Sequence, residues 1–192
     1  MAAGATQFIG LSGEYYVSYC LVVRGFHASM TIGNAPNVDI LVASSDGNSM
    51  LSLQVKTSRF AHRRNRYGYE VYELDVGGSA IGRVGKNIWY AFVDLQMKPE
   101  GCEPQVFLVP SKWVNDFVRP DHSRKMYLLK SEAARLCREQ WTRISAFFNG
   151  DQDAIKWATT VPESAKWRRS DDSDQDRAGG TGGACPPGGL AP

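Results

Sequence analysis

VDILVASSDGNSMLSLQVKTSR, residues 38–59, reads as a β-hairpin. Val38, Ile40 and Val42, then Leu51, Leu53 and Val55, alternate with other residues, the period of strands with one face in a core. Asp46-Gly47 suits the left-handed dihedrals of a two-residue hairpin loop. With those residues in the turn, Ser45 faces Asn48 and paired positions sum to 93. Asp39 then lies opposite Gln54, with Cβ atoms about 5 Å apart. Lys56 follows two residues further along the same face. A carboxylate, an amide and an ammonium therefore converge on one side of the hairpin.

The rest of the chain sets bounds on what this patch can be. Of its 192 residues, 43% are hydrophobic and 22% charged, the balance of a globular protein with one real core. No uninterrupted apolar run is long enough to cross a bilayer. The N-terminus has no basic stretch leading into an apolar block, so no secretory signal is expected. Cys20, Cys102, Cys137 and Cys185 form no CxxC pair, which speaks against a zinc site or disulfide framework and for a reducing, cytoplasmic setting. Net charge is only +2, yet it is unevenly spread. No acidic residue falls between Asp46 and Glu70, while Lys56, Arg59, Arg63, Arg64 and Arg66 do, interleaved with His62, Tyr67 and Tyr69. Phosphate backbones select such clusters; a solvated arginine loop has the same composition.

Periodicity places the other elements. Ile9, Tyr16, Cys20 and Val23 form one apolar face of a helix over about 7–24, with Gly25 as its C-cap. Phe26, Ala28 and Met30 alternate as a first strand. YGYEVYELDV reads as a further strand, and NIWYAFVDLQ and QVFLVP as two strands of the buried type. Ser111 is positioned to cap a short helix in SKWVNDFV. SEAARLCREQWTRISAFF reads as one helix, with Ala134, Leu136, Trp141, Ile144 and Phe148 among its apolar positions, and DQDAIKWATT extends the helical region. Residues 169–192 are Gly/Pro-rich with almost nothing to bury, a disordered tail after a single domain over 1–168. Helix, strand, hairpin, strands and helix together give an α/β protein with a mixed central sheet.

Several chemistries fail on their motifs. In GGSAIGRVGK a Walker A loop would need glycine where Ala80 stands and Ser or Thr where Asn87 stands. Arg83 and Lys86 of that loop remain as candidate contacts to a DNA backbone. His27, His62 and His122 have no metal-ligand spacing, and no G-x-S-x-G elbow is present. The five tryptophans read as packing residues. Phosphodiester hydrolysis, by contrast, requires a divalent cation, and magnesium takes carboxylate, carbonyl and water oxygens. Asp39, the Gln54 amide, the Val55 carbonyl and Glu14 on the first helix are such oxygens, and Lys56 is placed to neutralise charge building on a phosphate.

In that order, GEYYVSYCLVVRGF, NVDILV and LSLQVKTS resemble the PD-(D/E)xK nuclease superfamily over roughly 6–118. The similarity is to the branch holding intron-encoded homing endonucleases and uncharacterised bacterial relatives, which carries glutamine at the third site position. Two departures stand out: Val38 rather than proline precedes Asp39, and Gln54 replaces the usual acid. The resemblance implies a restriction-endonuclease-like αβββαβ core with an extra C-terminal helix and a metal-dependent DNA endonuclease activity. Glu14, Asp39, Gln54 and Val55 would hold Mg²⁺ (or Mn²⁺), and Lys56 would assist attack by water. Arg59, Arg63, Arg64, Arg66, Arg83 and Lys86 would hold DNA, and a homo-oligomer would supply two sites. The competing expectations are an inactive DNA-binding module of the same fold and a partner-binding accessory protein.

Overall fold

A computed structural model describes residues 3–31, 38–65, 68–77, 80, 82–97, 103–118 and 124–162. Strands β2 (Ile40–Ala43) and β3 (Met50–Ser58) pair antiparallel as Ile40↔Leu53, Leu41↔Ser52, Val42↔Leu51 and Ala43↔Met50, the expected register in which paired positions sum to 93. The turn itself differs. Gly47 N–H donates to the Ser44 carbonyl (2.9 Å) and Ser44 N–H to the Ser49 carbonyl (3.0 Å), and of Asp46 and Gly47 only the glycine has positive φ, 74°. Residues 45–48 form a four-residue loop, with Asp46 Oδ1 accepting from Asn48 N–H (3.1 Å) and from the Ser44 hydroxyl. An even-numbered loop keeps the parity of the pairing, so the register survives the change of turn.

The hairpin belongs to a five-stranded sheet in the order β1 (His27–Met30), β2, β3, β6 (Ile88–Asp94), β7 (Gln105–Pro110). β3 and β6 run parallel and the other pairs antiparallel, so the central sheet is mixed. A second sheet, β4 (His62–Arg64), β5 (Glu70–Asp75) and β8 (Lys125–Leu129), stands beside it. Only β5 of these was anticipated. The basic segment read as a loop contributes β4, and the β4–β5 hairpin occupies the crossover between parallel β3 and β6. The second sheet covers one face of the first, where the Tyr72 ring meets Phe107 at 4.4 Å and the Tyr72 hydroxyl donates to Gln105 Oε1 (3.1 Å).

Helices cover the other face. Trp89 packs against Phe147 of α4 (Thr142–Phe148) and Trp157 of α5 (Gln152–Thr159), and α1 (Ala3–Val22) lies on β3. Helix α1 ends as expected. Gly25 has φ 84°, Phe26 N–H reaches the Leu21 carbonyl and Gly25 N–H the Val22 carbonyl, the paired bonds of a Schellman cap. The inward face is corrected, however: Gly13, Val17, Cys20 and Leu21 are buried, while Val23 is exposed and Ile9 and Tyr16 are only half-buried. Gly13 decides the rotation, because a Cβ there would sit 2.0 Å from Thr57 Oγ1 and 2.9 Å from Thr57 Cγ2. Gly13→Ala should cost about 1–3 kcal/mol as an overpacking change. Thr57→Ala in the same chain should recover most of the lost melting temperature; no recovery would mean that the contact does not set the helix position.

The long helix expected over 131–148 is divided. Helix α3 (Lys130–Leu136) stops, and residues 137–139 pair with the outer edge of β7. Leu108 N–H donates to the Cys137 carbonyl (2.9 Å), Glu139 N–H to the Val106 carbonyl (2.8 Å) and Val106 N–H to Glu139 Oε1 (2.8 Å). An otherwise open strand edge gains partners for its buried backbone groups, which outweighs the local helix preference. Pro110, not Ser111, stands at the N-cap position of helix α2 (Ser111–Phe117), and no side chain caps it. The Ser111 hydroxyl instead donates to the Gly85 carbonyl (2.9 Å) and accepts from Gly85 N–H (3.0 Å), tying the glycine-rich loop to β7. Trp89, Trp113, Trp141 and Trp157 are buried, as packing residues should be. No helix among the described residues is long and apolar enough to cross a membrane. Arg66, Trp167 and the tail over 169–192 lie outside the described residues.

Candidate active site

Asp39 stands where β2 stops being regular. Ile40 pairs with Leu53, yet Asp39 N–H donates to the carbonyl of that same Leu53 at 2.9 Å. Two residues of one strand meet one of the other, which is a β-bulge and re-aims a side chain. Asp39 is therefore not squarely opposite Gln54, as a regular ladder would put it. Its Oδ2 accepts from Val55 N–H at 2.7 Å, and its carbonyl accepts from Thr31 N–H at 2.9 Å. The carboxylate is thus fixed to β3 at both a backbone and a side-chain level.

Gln54 and Lys56 share one face of β3, since pairing with β6 is unbroken from Ser52↔Ile88 to Ser58↔Asp94. Gln54 is only 7% exposed, and its Oε1 has no hydrogen-bond partner among the described residues. A buried acceptor left without a hydrogen bond costs about 1–3 kcal/mol. Tyr90, its partner in register, is fully buried and its hydroxyl is likewise unpartnered. Burial raises the Tyr90 phenol above its ordinary pKa, with Arg83 opposing. Tyr90 was passed over in the sequence; the signal was a lone hydroxyl in the otherwise apolar NIWYAFV. A Cβ placed on Gly77 would lie 3.9 Å from Lys56 Nζ, so the ammonium reaches the end of β5. Among the described residues no ion pair joins Asp39 and Lys56, so the two are not simply a cross-strand ion pair.

Glu14 follows Gly13 on α1 and is half-buried. Burial raises its carboxyl above the ordinary 4.5, the Asp39 carboxylate raises it further, and Lys56 pulls it down. The helix glutamate, the strand aspartate and the lysine thus share one electrostatic neighbourhood. A raised folded-state pKa adds stability that is complete below about 4.5 and is lost as pH rises through the folded value. Glu14→Gln should therefore melt slightly above the wild type at neutral pH in EDTA, with the gap closing below 4.5. Equal melting temperatures at both pH values would show that Glu14 carries no such penalty.

Two carboxylates and an unsatisfied amide oxygen are hard donors of the kind magnesium takes, with water and substrate phosphate completing its shell. The donor set fits such an ion, although no group of three or more His, Cys, Asp or Glu suited to a metal occurs among the described residues. The basic residues are more dispersed. Arg59 is half-buried at the end of β3, where its carbonyl accepts from Met97 N–H (3.1 Å). Arg63 and Arg64 are exposed on β4, with Arg64 in register with Glu70. That pair lies seven residues along β5 from Gly77, roughly 20 Å from Lys56 Nζ at about 3.3 Å per residue. Glu70 is also held by Lys130 at 2.9 Å. Arg83 lies half-buried beside Tyr90, and Lys86 is exposed at the entry to β6.

No known family profile matches the chain, and no curated protein does. Among solved structures it is similar to a bacterial homing endonuclease, I-Ssp6803I, with a TM-score of 0.51 and 13% identity over 77% of this chain and 96% of that one. At that identity the likeness is one of fold: the mixed sheet and its helices form a homing-endonuclease-like α/β domain.

Proposed function

We propose that this protein is a metal-dependent DNA endonuclease of the PD-(D/E)xK type. The observation that carries this reading is the coupling of Glu14, Asp39 and Lys56 beside the unpartnered Gln54 oxygen. Glu14, Asp39, Gln54 Oε1 and the Val55 carbonyl would hold Mg²⁺ (or Mn²⁺). A divalent cation held by these residues would supply polarisation of the scissile phosphate and a lowered pKa for an attacking water. The chain's own contribution is placement. The bulge and the Val55 N–H hold the Asp39 carboxylate still, and burial holds the Gln54 amide. Lys56 neutralises charge that builds on the phosphate oxygens in the transition state. Arg59, Arg83 and Lys86 would bind nearby phosphates. Arg63 and Arg64 would bind phosphates about six steps away at roughly 3.4 Å per step, and Arg66 of the same segment would add to DNA binding. A double-strand break needs two such sites, hence a homo-oligomer, and the free, buried thiols of Cys20 and Cys137 suit a cytoplasmic enzyme.

The neutral Gln54 favours a second reading, a DNA-binding module of this fold without cleavage, since an amide holds a cation less tightly than a carboxylate. Supercoiled plasmid incubated with the protein in Mg²⁺, in Mn²⁺ and in EDTA, beside Asp39→Ala, separates the two. Nicking or linearisation that needs both metal and Asp39 is the expected result. Cleavage that persists in EDTA overturns the first reading. Salt-sensitive DNA binding with no metal-dependent product, on plasmid and on random-sequence libraries alike, selects the second.

A further inference from the structure

Helix α1 has two apolar faces, and the described residues cover only one. Gly13, Val17 and Leu21 lie against the sheet. On the outer side Phe8, Leu11, Tyr15, Tyr19 and Val22 recur at spacings of three or four and are 73%, 38%, 60%, 63% and 56% exposed. At 3.6 residues per turn these five form one continuous stripe about 22 Å long. A helix that is apolar all round is normally covered all round.

We infer that this stripe packs against the same stripe of a second copy, with the two helices antiparallel about Tyr15. The pattern is symmetric: Phe8 and Val22 lie seven residues either side of Tyr15, and Leu11 and Tyr19 four. An antiparallel pair centred there sets Phe8 over Val22 and Leu11 over Tyr19, large against small, with the two Tyr15 rings meeting at the axis. Such a contact is isologous and closes as a dimer. Nothing in the stripe opposes it. Glu14 is the one charged residue in Ala3–Val22 and lies on the flank, and Ser12 donates its hydroxyl to the Ile9 carbonyl (2.8 Å). At roughly 150–250 Å² per covered aromatic ring, the stripe presents on the order of 500 Å² per copy. That is the size of the largest patch on an ordinary monomer, and a polar rim brings it towards the roughly 800 Å² per partner of a standard interface. Aromatic residues are also those enriched at interface cores. The inference does not depend on the nuclease reading, and its test uses no DNA.

Light scattering on the full chain at tens of micromolar should give twice 21.2 kDa. Tyr15→Glu and Tyr15→Lys, each checked for an unchanged far-UV spectrum, should each give 21.2 kDa, because like charges meet at the axis. Mixing the two in equal amounts should restore the doubled mass. If either variant fails to fold, Tyr19→Glu and Leu11→Lys, which face one another in the same register, take their place. A monomeric wild type overturns the inference. So does a Tyr15→Glu protein that remains dimeric, or a mixture of folded variants that stays monomeric.

Discussion

Replacing Lys56 by alanine should lower metal-dependent DNA cleavage by roughly 10²–10³-fold, the usual loss when one donor to transition-state charge is removed. Folding and DNA affinity should change little. Lys56 is a cation whose charge Glu14 feels, and its half-buried side chain brings the ammonium close to Gly77, just past the end of β5. No ion pair among the described residues depends on it, so the substitution leaves no buried charge behind. Lys56→Arg should not rescue the rate, because a planar guanidinium places its donors differently from a compact ammonium. Single-turnover cleavage measured beside filter binding separates the rate from affinity. Full-rate cleavage by Lys56→Ala would remove the residue from the chemistry and with it the PD-(D/E)xK assignment.

The second large effect is at Asp39, where two roles can be pulled apart. Its Oδ2 accepts from Val55 N–H at 2.7 Å and so closes the end of the β2–β3 ladder. Its charge adds to burial in raising the Glu14 carboxyl and is what a cation would meet. Asp39→Asn keeps an acceptor oxygen and removes the charge. Asp39→Ala removes both and leaves the Val55 N–H without its partner, a loss of about 1–3 kcal/mol. The asparagine protein should stay within about 1 kcal/mol of the wild type, since relief of repulsion with Glu14 offsets part of the weaker bond. Cleavage should fall to background in both. Denaturant titration read beside plasmid cleavage makes the comparison. An active Asp39→Asn enzyme would show that the carboxylate serves the bulge alone.

Much of the site was legible because it depends on parity. Gln54 and Lys56 share a face whatever the turn, since side chains alternate along an unbroken strand. The Asp39 geometry was not legible: whether Asp39 or Ile40 answers Leu53 is a choice between a ladder and a bulge, and both have the same residues. Gly13 was readable only in hindsight. A glycine in a helix next to a candidate catalytic glutamate is a hint of close approach, but Thr57 as the group approached came from β3, 44 residues away. Tyr90 was hidden for a similar reason, because a tyrosine in an apolar run reads as core until its hydroxyl is found without a partner.

The sequence by itself determined the elements whose causes are local. These are the hairpin and its inward faces from period two, the Schellman end of α1 from Gly25, the buried strands over 88–94 and 105–110, and the packing role of Trp89, Trp113, Trp141 and Trp157. Only the tertiary structure decided what depends on a distant partner. The basic segment became strand β4 because β5 and β8 offered a sheet to join. The helix expected over 131–148 broke because the edge of β7 needed partners at residues 137–139. Rotation of α1 about its axis followed from the one position where the absence of a Cβ lets Thr57 in, and that rotation set both where Glu14 stands and which apolar face was left outward. Local propensity chooses an element within a few residues. The choice is overruled where buried backbone groups or close-packed side chains far along the chain would otherwise go unsatisfied.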